Sequence, residues 1–509
     1  MKSFAFLSLY GTACLALPSP QTLQDGSQEK NSICAQIESK YSGSVSWAGS
    51  KTYQNETIEV WSETCILSPS CVFQPSSAGM LGGAMKMMKS SGTRWAVQSG
   101  GHMPVPGAQE VQNGVMVDMS KFNQKTLNKD KSIASIGPGQ IWFDVYSWLA
   151  ESGLAVAGGR YPTVGVGGFL VGGGISYFSS TKGWGCDNIV KYEVILADGS
   201  VVEATANGQY KDLFWALRGG HNNFGIVTRF DMKTFPVTSA FWSITAWDAS
   251  NATTQAQFFD ALNSYVAPGG GVDDPNIATS PIVTIAPGTK SVSYTSVQFA
   301  PGNNSSPAAF KNFTAVQGDV IQSLGGTVSE SWTDLPAALI STGARGSRQL
   351  FFSVSFAPDP RAISIANQTV VDMSFAELAN VAGAEIAFTY QPISQDWLEA
   401  AVAAGGDALS LDPKQGTFIA GLIYVTWSDA ADDATVNAYA SRAGSIIKKK
   451  TKALGLDRDF IYLNDAAPGQ KPFQTFGGGK SLPLLKKIQK KYDPAGFIAN
   501  TLNHGFALQ

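Results

Sequence analysis

A glycine turn that ends in a histidine is the first candidate for chemistry in this 509-residue chain. The segment from Arg94 to Gly107 holds a short apolar strand, which breaks at Ser99, Gly100 and Gly101 with His102 next. Two glycines allow the backbone to turn consecutive N–H groups to one side, as an anion-binding nest requires. His102 would then lie beside the bound group. By itself, the motif also fits a plain turn at a strand end, with His102 as a polar loop residue.

Two further glycine-rich segments follow, at 158–174 and 219–225, and the 53 glycines of the chain exceed an average share. Clustered glycines suggest loops that approach a ligand closely. The 158–174 segment lacks the GxGxxG spacing and opens no clear βαβ helix, so the sequence does not indicate a Rossmann dinucleotide site. His221 adjoins the third segment, and we interpret both His221 and His504 as structural residues.

Strands and helices of ordinary length must position these turns. A helix is predicted after Pro75, with Met80, Met85 and Met88 at near-helical spacing for core packing. An Asp-Gly turn at 198–199 predicts a hairpin within 191–203. Further strands are predicted at 95–97, 114–118 and 132–136, and further helices at 141–149, 212–217 and 482–491.

Composition limits the classes of protein to which the chain could belong. Hydrophobic residues make up 44% and charged residues 15%, which suits a globular protein with a sizeable core. The length of 509 residues suits two or three domains, or one large enzyme with a split architecture. A net charge of −3 argues against a nucleic-acid partner, which would need a basic face. From about residue 237 to 455, β-rich runs alternate with helices and polar loops, so we predict a separate domain on an antiparallel sheet there.

The N-terminus predicts secretion. Residues 1 to about 17 have a positive start, an apolar stretch and small residues at a cleavage site, as a signal peptide does. No later run of 18 apolar residues predicts a membrane span. Six glycosylation sequons fit a secreted protein, at Asn55, Asn251, Asn303, Asn304, Asn312 and Asn367.

Four cysteines remain once Cys14 is removed with the signal peptide. They allow three full pairings or a single bridge with two free thiols, and we favour a bridge between Cys34 and Cys71. Cys186 lies in an apolar context and is predicted to be a buried free thiol. No metal site is predicted, because neither CxxC nor a His/Cys ligand spacing occurs.

Five separated matches, in order along the chain, give a family resemblance. They are the Ser99–His102 turn, the segment from Pro162 to Gly174, the segment from Asp187 to Gly199, the segment from Gly219 to Thr228, and an ending with Tyr-Leu-Asn-Asp and Tyr492-Asp-Pro. Together they resemble the FAD-linked oxidoreductases of the vanillyl-alcohol-oxidase superfamily, and more closely the secreted fungal members of its berberine-bridge-enzyme-like branch.

The resemblance implies an α+β fold in which an FAD-binding domain is split in two. Its first part would be residues 18–236, with a PCMH-type core at about 67–237, and its second part residues 456–509. The substrate domain at 237–455 would be inserted between them. In this family the histidine of the Gly-Gly-His turn bonds covalently to the 8α-methyl of the flavin, which implies that role for His102.

Backbone N–H groups of the first turn would bind the FAD pyrophosphate, and the later glycine segments would line the rest of the cofactor. The implied cofactor-binding residues are Ser99, Gly100, Gly101, His102, Met103, Val164, Gly165, Gly168, Gly174, Asp187, Asn223, Gly225, Ile226, Val227 and Asn464.

Two positions depart from the family pattern. Doubly linked members have a cysteine before the Pro-Thr-Val, where this chain has Tyr161, so we predict a single covalent link and place Tyr161 near the flavin. Related plant enzymes have a tyrosine base where this chain has Asp465. A partly desolvated carboxylate can act as a general base, so Asp465 is the candidate, with a structural turn cap as the other interpretation and Tyr462 as the alternative base.

The resemblance therefore implies a secreted oxidase that passes hydride from a small organic substrate, a natural-product intermediate, to FAD and then to O₂. A carbohydrate oxidase and a dehydrogenase with another electron acceptor are the enzymatic alternatives. A secreted glycoprotein that keeps the fold without turnover is the third alternative.

Overall fold

A computed structural model describes residues 32–58, 60–340 and 345–508. The signal peptide predicted at 1–17 lies outside the described residues. A helix at Ile33–Lys40 begins the described chain, and the disulfide predicted between Cys34 and Cys71 is confirmed. The cysteines at 65 and 186 are free and buried, as predicted for Cys186.

The strands before residue 237 form two main sheets and a short pair. They are β1 (Val45–Trp47), β2 (Cys71–Phe73), β3 (Trp95–Gln98), β4 (Val115–Asp118), β5 (Lys125–Leu127), β6 (Ile133–Ile136), β7 (Leu154–Ala155), β8 (Ile189–Ile195), β9 (Val201–Thr205), β10 (Ile226–Lys233) and β11 (Phe235–Pro236). The first sheet has the order β1-β2-β4-β3 and the second β5-β6-β10-β8-β9, while β11 pairs with β7. The predicted hairpin is confirmed, since β8 pairs antiparallel with β9.

Helices connect these strands, and those predicted after Pro75, at 141–149 and at 212–217 are confirmed. The α-helices of this part are Lys51–Ile58, Ala78–Ser91, Trp142–Ala150, Val166–Val171, Ser179–Lys182 and Lys211–Leu217. Met85 and Met88 are fully buried, whereas Met80 is only partly buried at the start of its helix. The short helix at Val166–Val171 was not predicted, because the two glycines within it weaken any helical pattern.

An antiparallel sheet of eight strands follows. Its strands are β12 (Ala240–Asp248), β13 (Ala278–Ala286), β14 (Ser291–Pro301), β15 (Val320–Ser329), β16 (Arg348–Phe356), β17 (Glu385–Ile393), β18 (Phe418–Trp427) and β19 (Asp457–Arg458), in the order β15-β12-β14-β13-β17-β18-β16-β19. The α-helices at Ala252–Val266, Lys311–Thr314, Asp334–Ala338, Pro360–Glu377, Gln395–Ala403 and Asp433–Ala453 interrupt it. Strand β15 escaped prediction because its largely exposed residues show no alternation of polar and apolar side chains.

Both faces of this sheet are covered at β18. On β18, Phe418 and Ala420 pack into the core shared with the N-terminal strands, whereas Ile419 and Ile423 pack into a second core with the long helices. This alternation follows from the two-residue period of a strand. Leu422 therefore points toward the N-terminal part, where the candidate site lies.

The end of the chain packs back onto the first sheet. After the helix at Ser481–Tyr492, the helix at Phe497–Thr501 stacks Phe497 on Trp95, with ring centroids 5.5 Å apart. The amide of Asn503 donates to the carbonyl of Trp95 at 2.7 Å. Residues near both ends of the chain thus form one core. The domain boundaries at 236 and 455 stay predictions.

The described part of the chain lacks two kinds of feature, a membrane-spanning helix and a cluster of metal ligands. None of its helices combines the length and apolar character that a membrane crossing needs. Its His, Cys, Asp and Glu side chains form no group of three or more that could hold a metal ion.

Candidate active site

A cavity lies between the N-terminal sheets and the inner face of the eight-stranded sheet. Its volume is about 230 Å³, and it opens to solvent. Its walls come from the loop after β3, the glycine-rich segment at 159–169, the start of β10, strands β16 and β18, and residues 462–465. Segments far apart in the sequence therefore meet around one space.

Most of the predicted site residues line this cavity. Those that do are Ser99, Gly100, Gly101, His102, Met103, Tyr161, Val164, Gly165, Gly168, Gly225, Ile226, Val227, Tyr462, Asn464 and Asp465. Three predicted cofactor-binding residues, Gly174, Asp187 and Asn223, do not line it.

These three residues form hydrogen bonds in the structure around the cavity. The buried Asp187 accepts a hydrogen bond from the amide of Trp184 at 2.8 Å. Asn223 donates to the carbonyl of Phe506 at 3.2 Å and so holds the end of the chain. The amide of Gly174 donates to the hydroxyl of Tyr462 at 3.1 Å. Their motifs were recognised correctly, but adjacency in sequence did not show which side chains reach the cavity.

The first two glycine segments meet backbone to backbone. A Cβ added to Gly100 would lie 2.5 Å from the Cα of Gly165, so only glycine permits this approach. Ser99 fastens the junction, because its hydroxyl donates to the carbonyl of Pro138 and accepts from the amide of Gly167 at 3.2 Å. Gly101 has a φ of +63°, which favours glycine.

His102 is buried on a tryptophan. Its ring stacks on Trp61 with centroids 4.1 Å apart and an angle of 14° between the planes. Burial lowers the pKa of His102 to about 4, so the imidazole is neutral at ordinary pH. Its buried Nε2 has no hydrogen-bond partner among the described residues. The neutral ring therefore has a nitrogen that could bond to a group held in the cavity.

Asp465 is a nearly buried carboxyl in the wall of the same cavity. Only 8% of it is exposed, and its Oδ2 accepts a hydrogen bond from the Nε2 of Gln391 at 2.7 Å. Burial raises the pKa of Asp465 to about 6, while the hydrogen bond from Gln391 and the charge of Arg160 oppose that rise. The carboxyl therefore changes its charge close to neutral pH.

Tyr462 is less suited than Asp465 to act as a general base. Its hydroxyl oxygen accepts hydrogen bonds from the amides of Gly174 and Ile175 and from Asn464, each at 3.1 Å. Burial raises the pKa of Tyr462 far above its usual value, and the charge of Asp465 adds to the rise. Its lone pairs are already engaged, so the hydroxyl anchors the Gly174 turn.

Tyr161 forms part of the cavity wall. It is 38% exposed, and that surface borders the cavity. Its pKa is nevertheless raised by desolvation, since the cavity walls enclose it. At position 161 the cavity wall therefore presents a tyrosine hydroxyl and not a cysteine thiol.

Sequence reasoning missed several residues of this site. Arg160 stands inside a recognised glycine segment, and its charge among glycines was a usable signal. Trp61 and Gln391 carried no such signal, because each acts through a partner far away in the chain. Phe351 and Leu422 line the cavity from the sheet, where only the strand pairing shows which face they occupy.

Comparison with known proteins agrees with this geometry. A model of the "FAD binding domain" family matches residues 69–205. The chain is 37% identical over 489 residues to "FAD-dependent monooxygenase prx3" of Penicillium roqueforti, covering 95% of this chain and 94% of the relative. Among solved structures, BBE-like 1 of Physcomitrella patens superposes with a TM-score of 0.71 at 20% identity, covering 94% of this chain and 99% of that one.

A second solved structure, a glucooligosaccharide oxidase of Acremonium strictum, superposes with a TM-score of 0.74 at 18% identity. It covers 92% of this chain and 98% of its own, and its FAD is described as 6-S-cysteinyl, 8α-N1-histidyl. The chain thus belongs to the FAD-linked oxidoreductases, the family of its Penicillium relative, and it shares its fold with the two solved structures, as its motifs predict. It is an FAD-dependent oxidoreductase.

The residues present fit FAD. The close junction of Gly100 and Gly165 presents backbone rather than side chains to the cavity, as a bulky anionic cofactor requires. The buried, unpartnered Nε2 of His102 lies at one wall, and Asn464 and Asp465 lie at another. The turns at 99–103, 164–168 and 225–227 would hold the cofactor.

Proposed function

We propose that this protein is a secreted oxidase that removes a proton and a hydride from a small organic substrate, with O₂ as the final electron acceptor. One observation carries the proposal. The same cavity contains a neutral histidine with an unused nitrogen and a carboxyl whose pKa of about 6 suits a general base. FAD, when bound, supplies the two-electron chemistry.

His102 is proposed as the covalent attachment point of the cofactor. A neutral imidazole keeps its lone pair for bond formation, and burial keeps this ring neutral. Tyr161 stands where doubly linked members of the family have a cysteine, and the free thiols, Cys65 and Cys186, are both buried and do not line the cavity. These observations support a single link.

Asp465 is proposed as the base that takes a proton from a substrate hydroxyl or amine. Its Oδ2 is occupied by Gln391, which leaves Oδ1 to receive the proton. Arg160 provides a compensating positive charge close to that carboxylate. Tyr462, the alternative base, is less suited because three N–H donors already surround its oxygen.

The substrate is proposed to be a largely apolar natural-product intermediate. Phe351, Leu422 and Ile175 line the cavity with carbon surface, whereas an oligosaccharide needs many polar partners. A carbohydrate oxidase is therefore the less favoured alternative.

Covalent attachment is tested without a substrate. After acid precipitation of the purified protein, we expect the yellow colour in the pellet for the wild type and in the supernatant for a His102→Ala variant. A His504→Gln variant serves as the control and should keep the colour in the pellet. Colour released from the wild type would refute the covalent link.

Oxygen chemistry needs a separate experiment, because the relatives' name favours monooxygenation as a second candidate function. Benzylic and allylic alcohols and cellobiose would first be screened anaerobically for bleaching of the flavin. The reaction of the best probe under ¹⁸O₂ then separates the candidates. An unlabelled product with one H₂O₂ per turnover supports the oxidase, and one ¹⁸O in the product supports the monooxygenase. Slow reoxidation in air would indicate a dehydrogenase, and a flavin that no probe bleaches would favour a non-catalytic protein.

Secretion and glycosylation are proposed with one correction. The sequons at Asn55, Asn251, Asn303, Asn304 and Asn312 are exposed. Asn367 is only 7% exposed inside the helix Pro360–Glu377, so the folded chain has no space for a glycan there. Endoglycosidase treatment of the secreted protein should lower its mass, and peptide mapping should find Asn367 unmodified.

A further inference from the structure

Asp465 is the end of a buried chain of hydrogen bonds that no sequence motif indicates. The guanidinium of Arg160 donates to the Oε1 of Gln391, and the Nε2 of Gln391 donates to Asp465. The other end of the guanidinium donates to the hydroxyl of Ser280 at 2.8 Å, which fixes it against β13. Four segments of the fold therefore meet in this one chain of contacts.

The direction of these hydrogen bonds is determined chemically. Arginine can only donate, so the group of Gln391 that faces Arg160 must be its carbonyl oxygen. On the amide side, Nε2 also donates to the carbonyl of Ala420 at 3.1 Å, and a carbonyl can only accept. Both neighbours exclude a flipped amide, so Gln391 presents an N–H, and not an oxygen, to Asp465.

Gln391 has little freedom to move. It is 2% exposed on β17, and Ala420 is its cross-strand partner on β18. A rigid donor at 2.7 Å stabilises the ionised form of the carboxylate that it faces. The other polar groups acting on this site are the cation of Arg160 and the neutral hydroxyls of Tyr161 and Tyr462.

We propose that Gln391, oriented by Arg160, is a positioning residue that keeps Asp465 ionised and directs its free Oδ1 toward the substrate. The inference rests on the proposed function of Asp465 as the base. Without this donor, burial would raise the pKa of Asp465 further, because less would oppose it. The base would then be protonated at neutral pH.

The test follows the carboxyl itself and needs neither substrate nor turnover. Infrared difference spectra against an Asp465→Asn variant isolate the carbonyl stretch of protonated Asp465, and its intensity is followed with pH. The wild-type midpoint is expected near about 6. In Gln391→Met, which keeps the side-chain length but has no donor, the midpoint should rise by about one to two pH units.

Gln298→Met is the matched control, because Gln298 is a buried glutamine of the same sheet whose side-chain amide donates to Ser296 and forms no hydrogen bond with a titratable group among the described residues. Its midpoint should equal that of the wild type. Gln391→Glu is the second variant, in case the first does not fold. Its carboxylate can still pair with Arg160 but faces Asp465 with an oxygen, so the midpoint should again rise.

Equal midpoints in the wild type and in the Gln391 variants would overturn the inference. A different result would refute the proposed function. The best screening probe would then reduce the flavin of an Asp465→Asn variant as fast as that of the wild type. The infrared midpoints do not depend on that result, so the two failures are distinguishable.

Discussion

At the scale of single residues, the environment of each titratable group decides the chemistry of the site. Asp465 and Tyr462 are both buried, but only Asp465 has a pKa close to neutral pH. Tyr462 is fixed by three N–H donors, whereas Asp465 has one oxygen engaged and one available. A carboxylate can therefore take the place that a tyrosine base has in related enzymes.

The buried carboxyl should cost stability, and the size of this cost depends on pH. Because the folded-state pKa of Asp465 is raised to about 6, its ionisation destabilises the fold as pH rises through that value. We expect Asp465→Asn to stabilise the protein at pH 8 but not at pH 4, by roughly 3 kcal/mol at most. Thermal unfolding at the two pH values measures the difference.

Asp130→Asn is a control of opposite sign. Hydrogen bonds from Ser132 lower the pKa of this exposed aspartate, so its removal should lose stability at pH 8 rather than gain it. If the two variants changed stability in the same direction with pH, the assigned pKa of Asp465 would be wrong.

At the scale of elements, two glycine turns form the cofactor side of the cavity because their backbones touch. A larger residue at Gly100 would displace the backbone of Gly165 rather than a flexible side chain. The turn after β3 and the segment before the helix at Val166–Val171 are thus one unit.

We expect Gly100→Ala to separate these turns and to lower the flavin content of the purified protein at least tenfold. Gly79→Ala is the matched control, since a Cβ at Gly79 meets nothing within 4 Å and Gly79 lies in a helix. That variant should bind flavin normally and should be stabilised by up to about 1 kcal/mol. The flavin-to-protein absorbance ratio checks both, and equal ratios would contradict the role of the junction.

At the scale of the whole molecule, the last residues of the chain complete the first core. Phe497 is 5% exposed and stacks on Trp95, and the ring nitrogen of Trp95 donates to the hydroxyl of Thr501 at 3.0 Å. Strand β3, which leads into the His102 turn, is therefore held by residues about 400 positions later.

Phe497→Ala should lower the free energy of unfolding by about 3 to 5 kcal/mol, because it leaves a cavity beside Trp95. Leu484→Ala, at a residue that is 45% exposed, should change it by less than about 0.5 kcal/mol. Chemical denaturation followed by tryptophan fluorescence compares the two variants. A small effect at Phe497 would show that the first core does not depend on the chain end.

The sequence alone determined the features that short segments encode. Glycine turns, the hairpin at Asp198 and Gly199 and the amphipathic helices depend on neighbouring residues, so their positions were predicted well. The family resemblance placed Asp465 next to Tyr462 in the site, and the cysteine pairing was inferred correctly from position along the chain. Membership of a motif did not show which side chains reach the cavity, since Asp187 and Asn223 do not line it.

Only the tertiary structure decided which side chains face each other across long separations. Arg160 and Gln391 are 231 positions apart, and Gln391 and Asp465 are 74 apart. Trp61 stacks on His102 although 41 positions separate them in the sequence. Asn367 is buried in the folded chain in spite of its sequon. Hydrogen-bond direction and desolvation depend on every neighbour in space, and therefore the pKa of Asp465 follows from the assembled fold.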